Sequence, residues 1–202
     1  GLEAFNPAFE SLLAADQQLS APEMQEFEDF LASIAFPPNP FRNLDNSLST
    51  SVPLSGQHTP GRFSPAGQPM PNGNAAHGRD LFEVPVRFAC TNCHALPTGQ
   101  GSTWHWNGTV FEPIPAGPNG EQHHSVVGTT HQIQMDFKIP NLRNLYERTG
   151  FNLTQPQATA GFGYLHDGAV DSIERFVNEP VFTVASDQQT ANLVAFMLSF
   201  SG

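Results

Sequence analysis

Apolar side chains recur at intervals of three and four residues in two stretches of the chain, which is the pattern of an amphipathic helix. The first stretch follows a capping box that begins at Ser20, and its apolar positions are Met24, Phe27, Leu31 and Ile34. The second follows a similar box at Ser186 and contains Leu193, Phe196, Met197 and Phe200. We predict a helix in each stretch. Met24 and Met197 lie on the apolar stripes, so we expect them to pack in a core rather than to bind a metal.

Three further helices are predicted from weaker signals. Residues 6–19 start with Asn6-Pro7, an N-cap followed by proline, and residues 74–84 contain apolar anchors and a glycine, Gly78, suited to close helix approach. Residues 141–148 follow a proline and are closed by Gly150. A β-hairpin is predicted near residues 102–112, where Asn107-Gly108 separates aromatic and β-branched residues.

Helical periodicity disappears between residues 41 and 76, where Asn, Ser, Pro and Gly dominate. We expect an extended connection on the surface there. The predicted organisation is an N-terminal helical extension over 1–50, a Pro/Gly/Ser-rich connection over 51–73 and a main domain over 74–202.

The charge balance limits the classes of partner. Eight Lys and Arg residues against 19 Asp and Glu give a net charge of −11, which disfavours nucleic acid and anionic membranes and is compatible with a redox partner that carries a basic patch. The chain has no run of about 18 apolar residues, so no membrane span is expected. Its first residues also lack the pattern of a signal peptide.

The segment Cys90-Thr91-Asn92-Cys93-His94 is the C-x-x-C-H pattern of covalent c-type haem attachment. Two thiols at this spacing can each bond one vinyl group of the same porphyrin, and His94 can then bind the iron. A zinc site would need more Cys or His ligands in paired clusters, and a thioredoxin-like motif would need a βαβ context. A short-loop disulfide would not require the histidine. We therefore expect one haem c, and since such haem is attached outside the cytoplasm, a periplasmic or extracellular location.

The iron also needs a distal ligand or an open position. A methionine raises the reduction potential, a second histidine lowers it, and an open position permits peroxide or O₂ chemistry. Met135, on a segment that follows a long loop, is the preferred candidate, with His131 as the alternative. Trp104, on the predicted hairpin, either covers a haem edge or covers exposed core.

Two segments carry a resemblance to a known family. Lys138-Ile139-Pro140-Asn141-Leu142-Arg143-Asn144 and His166-Asp167-Gly168 resemble motifs of bacterial di-haem cytochrome c peroxidases and MauG-type proteins, and the likeness covers about residues 75–202. The resemblance implies a mainly α-helical class I cytochrome c fold, similar to the electron-transfer half of those enzymes. Arg143 is carried over as a motif residue, whose guanidinium either pairs with a haem propionate or makes a cap or surface ion pair.

The departures from that family define the expected function. This chain has one C-x-x-C-H motif instead of two, the stretch 178–182 lacks the family's methionine, and an insertion over 151–163 puts the family's calcium site in doubt. The N-terminal part resembles the lead-in to mono-haem domains at the C-termini of large exported bacterial proteins. We expect an electron-transfer domain of a longer polypeptide, with a peroxidase-like enzyme as the alternative and a structural haem module as a third possibility.

Overall fold

The computed structural model describes residues 2–35, 38–84, 90–92, 94, 96, 99, 104–106, 109–113, 126–128, 136–138, 140–149, 163–164 and 168–200. Within these residues the protein is mainly helical, as predicted. Its α-helices are α1 (Pro7–Ser11), α2 (Ala21–Ser33), α3 (Ala75–Glu83), α4 (Leu145–Arg148), α5 (Ile173–Val177) and α6 (Asp187–Leu198). None of the helices in the described part is long and apolar enough to cross a membrane. The chain forms two compact units, residues 1–37 and residues 38–202.

The first unit pairs the short helix α1 with α2. The Ser20 N–H donates to the Glu23 carboxylate at 2.8 Å, so the predicted capping box begins α2. Phe9 meets Phe27 edge to face, with ring centroids 5.4 Å apart. Met24 is buried, as the apolar stripe of α2 predicts.

Helix α1 is much shorter than the predicted helix over 6–19. The Leu13 N–H donates to the Ala8 carbonyl and Ala14 takes a positive φ of 54°, which ends the helix after its first turns. Asn6 makes no side-chain cap on α1. Its amide instead bonds both the N–H and the carbonyl of Leu19, at 2.9 and 2.8 Å, because the chain turns back at that point.

The second unit is built on the crossing of α3 and α6. Gly78 lies so close to α6 that a Cβ there would overlap the Asn192 carbonyl and come within 2.7 Å of the Phe196 Cβ. The predicted use of Gly78 for close helix approach is therefore confirmed. Ser186 is the N-cap of α6, as predicted, and accepts from the Gln189 N–H. Asn74 caps α3 in the same way by accepting from the His77 N–H. Met197 is buried in the core, as expected.

Residues 38–73 pack into the second unit and do not merely lie on it. Val52, Leu54 and Met70 are buried in the same core as α3 and α6. Asn39 donates to the carbonyls of Leu198 and Phe200, and Arg42 to that of Ser199 at 2.7 Å. These bonds satisfy carbonyls at the end of α6 that have no partner inside the helix. The connection over 51–73 was expected to lie on the surface, and this expectation is wrong for its buried apolar residues. These residues are too few and too irregularly spaced to show periodicity in the sequence.

The rest of the second unit combines short helices with a small sheet. The predicted helix over 141–148 is a single turn, α4, preceded by Asn144 at a positive φ of 54°. Strands β1 (Trp104–Trp106) and β2 (Phe111–Pro113) form the predicted hairpin, but Trp106 pairs with Phe111, so four residues separate the strands instead of two. Strands β3 (Val126–Gly128) and β4 (Asp136–Lys138) form a hairpin that the sequence did not indicate, and the sheet order is β2-β1-β3-β4.

Glu174 on α5 is a buried carboxyl, and its burial raises its pKa above the usual value. Because the folded-state pKa exceeds the unfolded one, the stability that this residue contributes is complete below the unfolded pKa, near pH 4. It is lost as the pH rises through the folded pKa. We expect Glu174→Gln to unfold at a higher temperature than the wild type at pH 7, with the difference vanishing near pH 4. Thermal unfolding at several pH values measures this.

The matched control for this prediction is Glu179→Gln, an exposed carboxylate five residues further along the chain. We expect its unfolding temperature to follow that of the wild type at every pH. A Glu174→Gln variant that gains nothing between pH 4 and pH 7 would contradict the assigned effect of burial.

Candidate functional site

A short helical turn begins at Cys90, and a backbone hydrogen bond ties His94 to it. A 3₁₀ turn spans Cys90–Asn92, and the His94 N–H donates to the Cys90 carbonyl at 2.8 Å. Cys90 and His94 are both half-buried. Cys90 packs against the hydrophobic core of the second unit.

The His94 ring is oriented by a backbone acceptor. Its Nδ1 lies 3.4 Å from the Gly99 carbonyl oxygen, to which the N–H donates. This bond keeps the proton of the neutral ring on Nδ1, so Nε2 is unprotonated, the form in which it can bind a metal. Burial lowers the pKa of His94 to about 4, although the bond to Gly99 opposes that shift. A neutral imidazole with a free Nε2 is the state that an iron ligand needs.

One aromatic ring lies beside His94 and is itself packed against two others. The His94 ring centroid lies 6.3 Å from that of Phe82 on α3. Phe82 in turn contacts Phe196 and Phe200, at centroid distances of 5.2 and 5.5 Å, and is almost fully buried. Phe82, held at the crossing of α3 and α6, therefore gives the imidazole an apolar neighbour.

The K-x-P-x-L-R-N segment reaches the same region through Leu142. A Cβ at Gly99 would lie 2.8 Å from the Leu142 Cβ and 3.0 Å from Phe200 Cε1. Gly99 has a positive φ of 65°, which favours glycine and fits this confined space. Arg143, next along the chain, is half-buried, and its N–H donates to the Asn141 side chain at 2.8 Å.

The structure places some predicted site residues and not others. The structure describes Cys90, His94 and Arg143. Arg143 directly follows Leu142, which lies beside Gly99, the residue whose carbonyl accepts from His94. Trp104 lies in β1, where only its backbone is described. Cys93, Met135 and His131 lie outside the described residues, as does the family motif residue His166. Their roles remain predictions.

Gly99 is the site residue that the sequence did not indicate. A second glycine, Gly101, follows closely, but the sequence does not show that the Gly99 carbonyl accepts from His94. The sequence predicts Phe196 and Phe200 only as core positions. A glycine a few residues after C-x-x-C-H is the signal that points to such an acceptor, because a ligating histidine needs its other nitrogen fixed.

Across the described ranges, no group of three or more His, Cys, Asp or Glu side chains comes together as a metal site. Comparisons with protein families, with curated proteins and with solved structures found no match.

Proposed function

We propose that this chain is a mono-haem c-type electron-transfer domain. The observation that carries the proposal is the orientation of His94, whose Nδ1 is taken by the Gly99 carbonyl beside Phe82, on the turn that begins at Cys90. A haem bound there supplies one-electron Fe(III)/Fe(II) chemistry. The thiols of Cys90 and Cys93 would hold it covalently, and Nε2 of His94 would bind its iron.

The other residues of the site fit that role. Phe82 lies beside His94 and is buried with Phe196 and Phe200. We propose that these rings keep that side of the haem dry, and a dry environment limits the reorganisation that accompanies electron transfer. Arg143 and Trp104 are proposed to donate to the propionates, and Met135 is the proposed distal ligand with His131 as the alternative. The resemblance to the electron-transfer half of di-haem peroxidases, over about residues 75–202, points in the same direction.

The proposed location and redox partner follow from the covalent attachment of haem and from the net charge of the chain. Covalent haem of this kind is attached outside the cytoplasm, so we place the domain in the periplasm or outside the cell, as part of a larger exported protein. With a net charge of −11, its electron donor or acceptor is expected to be another domain of that protein or a redox protein with a basic patch.

Met135 is tested by the optical spectrum of the oxidised protein. We expect the wild type to be low-spin and to show the near-infrared methionine–iron band, and Met135→Ala to lose that band because the thioether is removed. Met197→Leu is the control, since Met197 is buried in the core and the exchange conserves volume.

Two other results would redirect the proposal. A low-spin Met135→Ala protein with an unchanged spectrum would exclude Met135 and favour His131. A high-spin wild type that binds cyanide rapidly would overturn the electron-transfer function and favour the peroxidase-like alternative, which requires an open distal position.

A further inference from the structure

The unit formed by residues 1–37 has very little interior of its own. Met24 is the one buried residue among those described in this unit. Large apolar side chains are exposed by more than half, namely Phe5, Leu12, Leu13, Phe30 and Ile34. Units below about 40 residues normally need a disulfide, a metal or association with another chain. The chain's two cysteines lie at 90 and 93, so a disulfide cannot stabilise this unit from within.

Helix α2 covers only part of its apolar face. The inner stripe contains Met24 and Phe27 and meets Phe9 of α1. An outer stripe lies directly beside it, where Glu23, Glu26 and Phe30 are spaced by three and four residues and are all exposed. Ile34, which the sequence pattern places on the stripe of Met24, follows the helix directly and is 56% exposed, so it belongs to this uncovered edge. The outer stripe thus places two carboxylates beside two uncovered apolar side chains.

The negative charge of residues 1–37 indicates which kind of partner could bind the outer stripe of α2. Residues 1–37 contain seven of the 19 acidic residues and none of the eight Lys and Arg residues. The rest of the chain keeps 12 acidic and eight basic residues, a net charge of −4. A second copy of this unit, an anionic membrane and nucleic acid would all be repelled by a charge of −7. A protein surface that combines apolar side chains with Lys and Arg would be attracted.

We propose that residues 1–37 are a docking element, and that the Phe30–Ile34 side of α2 binds a basic, apolar surface of a partner protein. Binding covers Phe30 and Ile34, while Glu26 pairs with Lys or Arg at the rim. Glu23 keeps its bonds to Ser20 at the start of α2. The mode is that of an amphipathic helix recognised through anchors one turn apart. This inference goes beyond electron transfer and does not depend on haem.

The experiment uses a fluorescent amphipathic peptide of 18 Leu and Lys residues as the probe, titrated with the full chain at low and high salt. We expect Phe30→Ser combined with Ile34→Ser to weaken binding by about tenfold or more, since both anchors are lost. Glu26→Gln, which leaves the capping box of α2 in place, should weaken binding at low salt and reduce the salt dependence. A Leu/Glu peptide of the same length should not bind.

The matched control is Leu44→Ser combined with Val181→Ser, which removes two exposed apolar side chains from the other unit. Equal weakening by the control pair, or wild-type affinity in the Phe30/Ile34 pair, would overturn the proposal. So would a lowered unfolding temperature of the free Phe30/Ile34 variant, because the two side chains would then already be covered within the chain. Sedimentation that shows a wild-type dimer, lost in this variant, would assign the stripe to a second copy instead.

Discussion

Serine at both Cys90 and Cys93 is expected to yield a chain without covalently bound haem. Thioether bonds form only at the cysteine sulfurs, and the chain has no other cysteine. The measurement is haem retained on the polypeptide after denaturing electrophoresis, following production in an exporting host with haem attachment machinery. We expect the wild type to retain haem and the double variant to fall to background. This is the largest effect expected, because it removes the proposed function entirely.

Thr91→Ala is the control for this experiment. It changes the same 3₁₀ turn but leaves both sulfurs and His94 in place, so haem should be retained. Wild-type polypeptide that carries no haem under these conditions, although it is folded and exported, would refute the c-type assignment. Retention by the double variant would show that the haem is held elsewhere.

Alanine at Gly78 is expected to destabilise the second unit by about 3 kcal/mol, the upper range for inserting a group into a packed interior. The added Cβ would overlap the Asn192 carbonyl, and backbone atoms of α6 cannot rotate away as a side chain would. For a chain of this size, that loss corresponds to a fall of roughly 6–12 °C in the unfolding temperature. Thermal unfolding followed by far-ultraviolet circular dichroism measures it.

His77→Ala is the matched control for Gly78. His77 is the preceding residue of α3, its side chain is exposed, and alanine favours the helix. We expect its unfolding temperature to stay close to that of the wild type. If Gly78→Ala were equally well tolerated, the close crossing of α3 and α6 would be wrong, and so would the position of Phe82 that depends on it.

The helices that the sequence predicted well are those with both a cap and an apolar stripe. Helices α2 and α6 each begin at the expected serine because cap and periodicity agree locally. The helix expected over 6–19 failed because Asn6 uses its side chain on Leu19 instead of capping α1. This hydrogen bonding depends on a residue 13 positions away, so the local sequence pattern could not predict it.

The candidate site divides in the same way. The C-x-x-C-H motif is entirely local, and the proposed cofactor can be inferred from five consecutive residues. The acceptor of His94 and the space around Gly99 depend on contacts with Phe200 and Leu142, far away in the chain. The motif therefore predicts the cofactor, but not the surrounding residues that would set its reduction potential.

The amino-acid sequence by itself determined the helices α2, α3 and α6, the acidic charge and the motif at Cys90–His94, because each depends on spacing over a few residues. Only the tertiary structure decided that Val52, Leu54 and Met70 belong to the core, since isolated apolar residues in a Pro- and Gly-rich stretch carry no periodicity. It also decided how His94 is oriented. Hydrogen bonding and packing between distant segments are cooperative, and they exist only once the chain has folded.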